Sequence, residues 1–251
     1  MPSWAMPRLC LSGLPALAAL MLLLPDLAVG QGVAGAPDSG PSRAAVGEPT
    51  TDPLHRGRPF TTTLAGIVTL EGSGERLDRA RALETELRER AAEDPSDPGV
   101  RWMIIAAMSL QVDEESARGK VQITRRILDE VELLGALAPD HPGYHHAKGR
   151  LHAGVMRSGP VLRWVAQRLV GGELLRSASW AEAERHFERA AELEPRALHH
   201  RLELGQVLLD QGKRDAAHAP LRAVVETPSE LPLDTLLRER ATVLLGDESE
   251  G

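Results

Sequence analysis

Between Ser179 and Pro228 the chain repeats its own packing residues at a fixed offset. Ala183, Phe187 and Ala190 follow one another at spacings of four and three, which puts them on one face of a helix. Thirty-four residues after each of them stand Ala217, Leu221 and Val224. Pro195 closes the first of these helices, and Pro228 falls thirty-three residues later. Between them lies "LHHRLELGQVLLDQG", a helical pattern with Leu204, Gly205 and Leu208 on one face and Gly212 as its stop. Two helices per thirty-four residues is the tetratricopeptide spacing. The residue types fit that geometry. Gly205 and the alanines let two helix backbones approach, Phe187, Leu204, Leu208 and Leu221 fill the gaps, and the prolines force the turn to the next pair.

The same landmarks continue upstream with insertions. Gly149 precedes Gly205 by fifty-six residues and Pro139 precedes Pro195 by the same number, one period plus twenty-two. Ala106 lies forty-three before Gly149 and Pro95 forty-four before Pro139, so that unit holds nine or ten extra residues. Trp102, Ile105 and Ala106 share a helix face. "ERLDRARALETELRERAAEDP" is a further helix ending at Pro95, and "FTTTLAGIVTL" is its candidate partner, although threonine and β-branched residues weaken it. The twenty-two-residue insertion lies between Arg157 and Ser179 and contains "SGPVLRWVAQRLVGG". Val161, Leu162, Trp164, Val165, Leu169 and Val170 gather on one side of a short amphipathic helix, ended by Gly171 and Gly172. Such a helix is expected to brace the neighbouring pair; the alternative is a membrane-surface helix, which its basic residues and Trp164 suit but for which it is short.

Aromatic residues are only 3 % of the chain while hydrophobic residues are 42 %, so the core is built from Ala, Leu and Val, as close-packed helices require. The formal net charge of −7 argues against a nucleic-acid partner. The single cysteine, Cys10, excludes an internal disulfide and a cysteine-based zinc site. Arg8, the uncharged apolar run from Leu9 to Leu24, and the small residues Ala28 and Gly30 read as a signal peptide over 1–30, cut after Gly30. The alternative is an uncleaved membrane anchor, for which the run is short and interrupted by Pro15 and Pro25. Residues 31–58 are rich in Gly, Pro, Ala and Ser and read as a flexible linker. The helical-repeat domain is then expected over 59–247. The fold class is all-α: a tetratricopeptide-type helical-repeat solenoid with an inserted short helix.

The run from His145 to Ala217 resembles the tetratricopeptide-type domain of the regulator of microtubule dynamics family and its bacterial relatives. The resemblance rests on "HHAKGR", "RWVAQRLVGG", "SWAEAERHFERAAELEP" and "LELGQVLLDQGKRDAA". It implies an all-helical repeat fold and an interaction role. Lys148, where the family tends to be apolar, and Pro220, inside the last second helix, depart from the pattern. Pro220 removes one helical hydrogen bond and is expected to bend that helix. The signal peptide points to a bacterial envelope, so microtubule binding does not carry over.

In stacked helix pairs the first helices line the concave side. On them Val100, Met103 and Ala107, then His146, Arg150 and Ala153, then His199, Leu202 and Gln206 are expected to face a partner-binding groove. Arg150 would pair with a partner carboxylate. Asp140, His141, His145, His146 and His152 form a histidine-rich stretch. His145 and His152 are two helical turns apart and His146 points elsewhere, so no three ligands converge locally on a metal. No phosphate loop, nucleophile elbow, His-Glu-x-x-His pair or dinucleotide fingerprint is present. "EGSGE" around Ser73 is a turn before a helix, Asp113, Glu114 and Glu115 are loop and helix-start charges, and Trp180 is a packing residue between two helices. The expectation is an exported, non-catalytic protein without cofactor or metal that binds a protein or peptide partner in the periplasm or envelope. The alternatives are a membrane-anchored scaffold with a retained N-terminal helix, and a metalloenzyme built on the His141–His152 stretch.

Overall fold

The structure is a computed structural model in which residues 53–158, 177–228, 231 and 233–246 are described. The signal peptide over 1–30, most of the linker and the inserted amphipathic helix lie outside the described residues. Among the described residues all regular structure is helical: α1 (Pro53–Val68), α2 (Ser73–Glu93), α3 (Pro98–Ser109), α4 (Ala117–Leu137), α5 (Pro142–Arg157), α6 (Trp180–Leu193), α7 (Leu198–Asp210), α8 (Arg214–Glu226) and α9 (Asp234–Gly246). Helix α1 starts at Pro53, so the last residues of the stretch read as linker belong to it. It also contains "FTTTLAGIV", whose threonines did not prevent the helix.

The starts and stops follow local chemistry. Asp97 caps α3 by accepting from the amides of Gly99 and Val100, with Pro98 in the first turn. Ser116 accepts from Gly119 at the start of α4, and Ser179 from Glu182 at the start of α6. Helix α7 ends in a Schellman arrangement: Gly212 takes φ of 73°, its amide donates to Leu209 and that of Lys213 to Leu208. Pro195 lies just beyond α6, and α8 continues through Pro220 to Glu226.

Helices pack in chain order as α1/α2, α3/α4, α5/α6 and α7/α8, with α9 closing the end. Each second helix also touches the next first helix, and α5 lies against α3 and α7, as α7 lies against α9. This is a stacked array of helix pairs. The thirty-four-residue offset is visible in the packing: Ala183, Phe187, Ala190, Ala217, Leu221 and Val224 are all fully buried. A Cβ on Gly149 would meet the Phe187 ring and one on Gly205 would meet Leu221, so both glycines occupy equivalent places in successive pairs. One large apolar core runs through α1–α5, and two smaller ones lie between α5, α6 and α7 and between α7, α8 and α9. Trp180 packs against the middle one, as expected.

An ionic belt ties α2 to its neighbours. Buried Glu84 accepts from Arg88 at 2.7 Å, from Gln111 at 2.8 Å and from Arg126. Buried Glu130 on α4 accepts from the same Arg88 at 2.8 Å and from Arg101 at 3.2 Å. Glu114 and Glu115, read as loop charges, reach back to Arg76 at 2.5 Å and Arg81 at 2.6 Å.

Candidate functional site

Helix α5 holds the candidate site because it is packed on nearly every side. Gly143, His145, His146, Ala147, Gly149, Arg150, Leu151, His152, Ala153, Gly154 and Val155 are all buried. Small residues let α3, α6 and α7 close around it. A Cβ on Gly143 would stand 2.4 Å from the Trp102 indole, so Trp102 of α3 rests directly on the start of α5.

This packing corrects the expected groove. Val100, Ala107, His146, Arg150, Ala153 and Leu202 are buried between helices and do not line an open surface. Met103, His199 and Gln206 are half-buried and keep some surface. Arg150 is 2 % exposed and donates to Glu203 of α7, itself buried. Burial lowers the guanidinium to about 10, still charged at neutral pH, with Glu203 opposing the shift. Arg150 therefore meets its carboxylate inside the chain. These residues point away from the partner helix of their own pair, and that side faces the next first helix.

What fills the inner side is a set of imidazoles that local spacing could not reveal. His146 of α5 brings Nδ1 to 3.0 Å from Nδ1 of His200 on α7. His199 lies beside both, with ring centroids 4.8 Å from His146 and 4.0 Å from His200. Trp102 stacks on His199 at 6.3 Å and meets His146 edge-on at 5.5 Å. On the other side of α5, His145 Nδ1 lies 3.0 Å from Nδ1 of His186 on α6, and His152 stacks on His186 at 5.7 Å. Two groups result in which one donor atom per residue lies within 4.8 Å of the others: His146, His199 and His200, and His152, Glu182 and His186. The His141–His152 stretch by itself brings no three ligands together. The groups instead draw on three helices. His141 stands apart as the cap of α5, accepting from the Gly143 amide at 3.1 Å.

Burial keeps these rings uncharged. It pushes His199 and His200 down to about 3 and His146 well below its ordinary value; His199, His200 and Arg150 add to the shift at His146, His200 adds to it at His199, and Arg201 and His141 add to it at His200. Burial likewise takes His152 to about 4 and His186 to about 3, with Arg185 and Lys148 nearby adding to the shift. Neutral imidazole is the form that offers a lone pair to a metal. At the surface beside His145, Asp140, Arg185 and Arg189 line a depression of about 280 Å³, where Arg189 pairs with Asp140 at 3.2 Å.

No curated protein matches the chain. The model of the family described as regulator of microtubule dynamics protein 1-3 matches residues 82–249, well beyond the run from His145 to Ala217 that carried the resemblance. With that match covering most of the chain and α3–α9 stacked pair upon pair, the protein belongs to the regulator of microtubule dynamics protein 1-3 family.

Proposed function

We propose that this chain is an exported, non-catalytic adaptor of tetratricopeptide type that binds a protein or peptide partner in the cell envelope. The observation that carries the reading is the order of contacts: α3, α5, α7 and α9 lie side by side as first helices, with second helices on the other side. Arrays of this kind present the first-helix side to extended ligands. Burial narrows the contact set to residues that keep surface, namely Met103, His199 and Gln206. Arg150 and Leu202 support that wall from beneath and do not touch the partner.

Photo-crosslinking residues placed at Met103 and Gln206, with Glu132 and Glu188 on second helices as exposed comparisons, test the surface in the envelope of the producing cell. Discrete adducts from 103 and 206 alone are expected. Adducts from 132 and 188 alone, or equal labelling at all four, would reject the first-helix side. Sequencing of the mature amino terminus tests export: Gln31 is expected, and a chain retaining residues 1–30 would favour the anchored alternative.

A further inference from the structure

We propose that His146, His199 and His200 form a three-histidine site for a divalent transition metal of the zinc class, backed by Glu194. The site does not depend on the partner-binding reading above.

Three features of the geometry converge. First, the spacing suits one ion. Imidazole nitrogens bound at ~2.0–2.1 Å to a tetrahedral zinc stand about 3.3 Å apart, with ring centroids about 5 Å apart. The facing Nδ1 atoms of His146 and His200 are 3.0 Å apart, and the three ring centroids are separated by 4.0, 4.8 and 5.0 Å. Second, the tautomer of His200 is set from outside. Its Nε2 lies 3.2 Å from a Glu194 carboxylate oxygen, which fixes the proton there and leaves the Nδ1 lone pair pointing inward. A carboxylate behind a ligating histidine is the usual second layer of a zinc site. Third, His199 Nε2 is buried and has no hydrogen-bond partner. A proton shared between His146 and His200 would account for one pair of nitrogens and leave His199 unexplained. An ion held among the three rings would engage one nitrogen of each, since one donor atom of each lies within 4.8 Å of the others.

The donors also choose the ion. Three imidazoles without a carboxylate suit zinc, copper or nickel and not the oxygen-seeking magnesium or calcium. Three protein ligands leave a fourth position for water or a partner's side chain. His199 is the half-buried member of the three, while His146 and His200 are buried. Trp102 locks two of the rings, so the site is held in place before an ion arrives. The second group, His152, Glu182 and His186, is a poorer host. Glu182 is engaged by Arg185 at 2.6 Å, and that guanidinium lies 3.2 Å from His186 Nε2. A fixed cation already stands there.

The test uses the full chain, titrated with zinc ion alone and, separately, with cobalt ion. Expected are one zinc per chain by calorimetry and elemental analysis, visible bands of four-coordinate cobalt, and a rise in Tm with zinc. His199→Ala removes the half-exposed ligand and is expected to abolish stoichiometric binding. Glu194→Gln, at the surface, is expected to weaken binding about tenfold or more with the fold intact. His152→Gln is expected to leave binding unchanged. The proposal is overturned if the wild-type chain takes up no stoichiometric zinc. It is also overturned if His199→Ala and Glu194→Gln bind as wild type does, or if His152→Gln alone abolishes uptake.

Discussion

Phe187 occupies the notch left by Gly149: its ring carbons stand 2.9–3.0 Å from where a glycine-to-alanine Cβ would be. Leu221 stands in the same relation to Gly205, with branch carbons at 2.5 Å. Phe187 and Leu221 are thirty-four residues apart in sequence, while the two glycines are separated by the same period plus the insertion. The insertion therefore falls between the two helices of one pair without changing how those helices meet. Alanine is worth ~1 kcal/mol over glycine in an open helix, but overpacking at a fixed contact costs ~1–3 kcal/mol. Gly205→Ala is expected to lower stability by ~1–2 kcal/mol despite its better helix propensity. Gly66→Ala in α1, with nothing within 4 Å of the added carbon, is expected to be neutral or stabilising. Urea unfolding monitored by circular dichroism distinguishes the two.

The Arg150–Glu203 pair is a buried ion pair joining α5 to α7. Removing one partner strands the other charge in a dry interface. Arg150→Ala is expected to cost ~3–5 kcal/mol, whereas Arg150→Met combined with Glu203→Leu is expected to recover most of that loss. A double-mutant cycle in chemical denaturation reads the difference. Additive losses from the two single substitutions would contradict the buried pairing.

Glu84 collects Arg88, Gln111 and Arg126 under the α2–α4 interface. Glu84→Ala removes the buried acceptor shared by all three, leaving Arg88 to Glu130 and Gln111 to the Ala107 carbonyl, and is expected to destabilise by several kcal/mol, on the order of 3. Glu86→Ala provides the contrast. Its bond to Arg90 is an i,i+4 pair with both side chains 56 % exposed, and its loss is expected to be within ~0.5 kcal/mol.

Acid should loosen the α5–α6 contact. In the folded chain His152 titrates at about 4 and His186 at about 3, both pushed down by burial, against an ordinary value of 6.5. Around them stand Lys148, Glu182, Arg185 and His145. Below pH 6.5 the unfolded chain takes up protons that the folded chain refuses. The stability is thus complete above pH 6.5 and is lost progressively as the pH falls toward the folded-state values. Between pH 7.5 and 5 the Tm is expected to fall by several degrees, on the order of 5 °C. His186→Gln is expected to flatten that slope. A Tm that is constant or rises on acidification would contradict the burial of these rings.

Much of the fold was present in local patterns. Small residues at 183, 190 and 217, large ones at 187 and 221, and stops at Pro95, Pro139, Pro195 and Gly212 are short-range signals. The stops act through the backbone of their own helix, and the spacing of the packing residues along one helix marks its buried face before it is known what that face meets. The weak reading of "FTTTLAGIV" as a helix reflects the same logic in reverse. Its propensity is poor, and packing of Phe60, Leu64 and Ile67 onto the core supplies what propensity lacks.

The site was not legible in that way. Helix α5 is buried around most of its circumference, so periodicity could say which residues face its partner but not what meets the rest. His146 and Arg150 lie off the α6-facing side, where periodicity alone does not distinguish an open groove from a neighbouring helix. Their partners, His200 and Glu203, stand fifty-four and fifty-three residues away on α7. The sequence by itself determined the helices, their repeat and the turns between pairs, because these follow from contacts within one or two turns of chain. Only the tertiary structure decided that α5 and α7 bring their histidines together against Trp102 of α3, because stacking distance and rotation between pairs are set by side chains that no single helix contains.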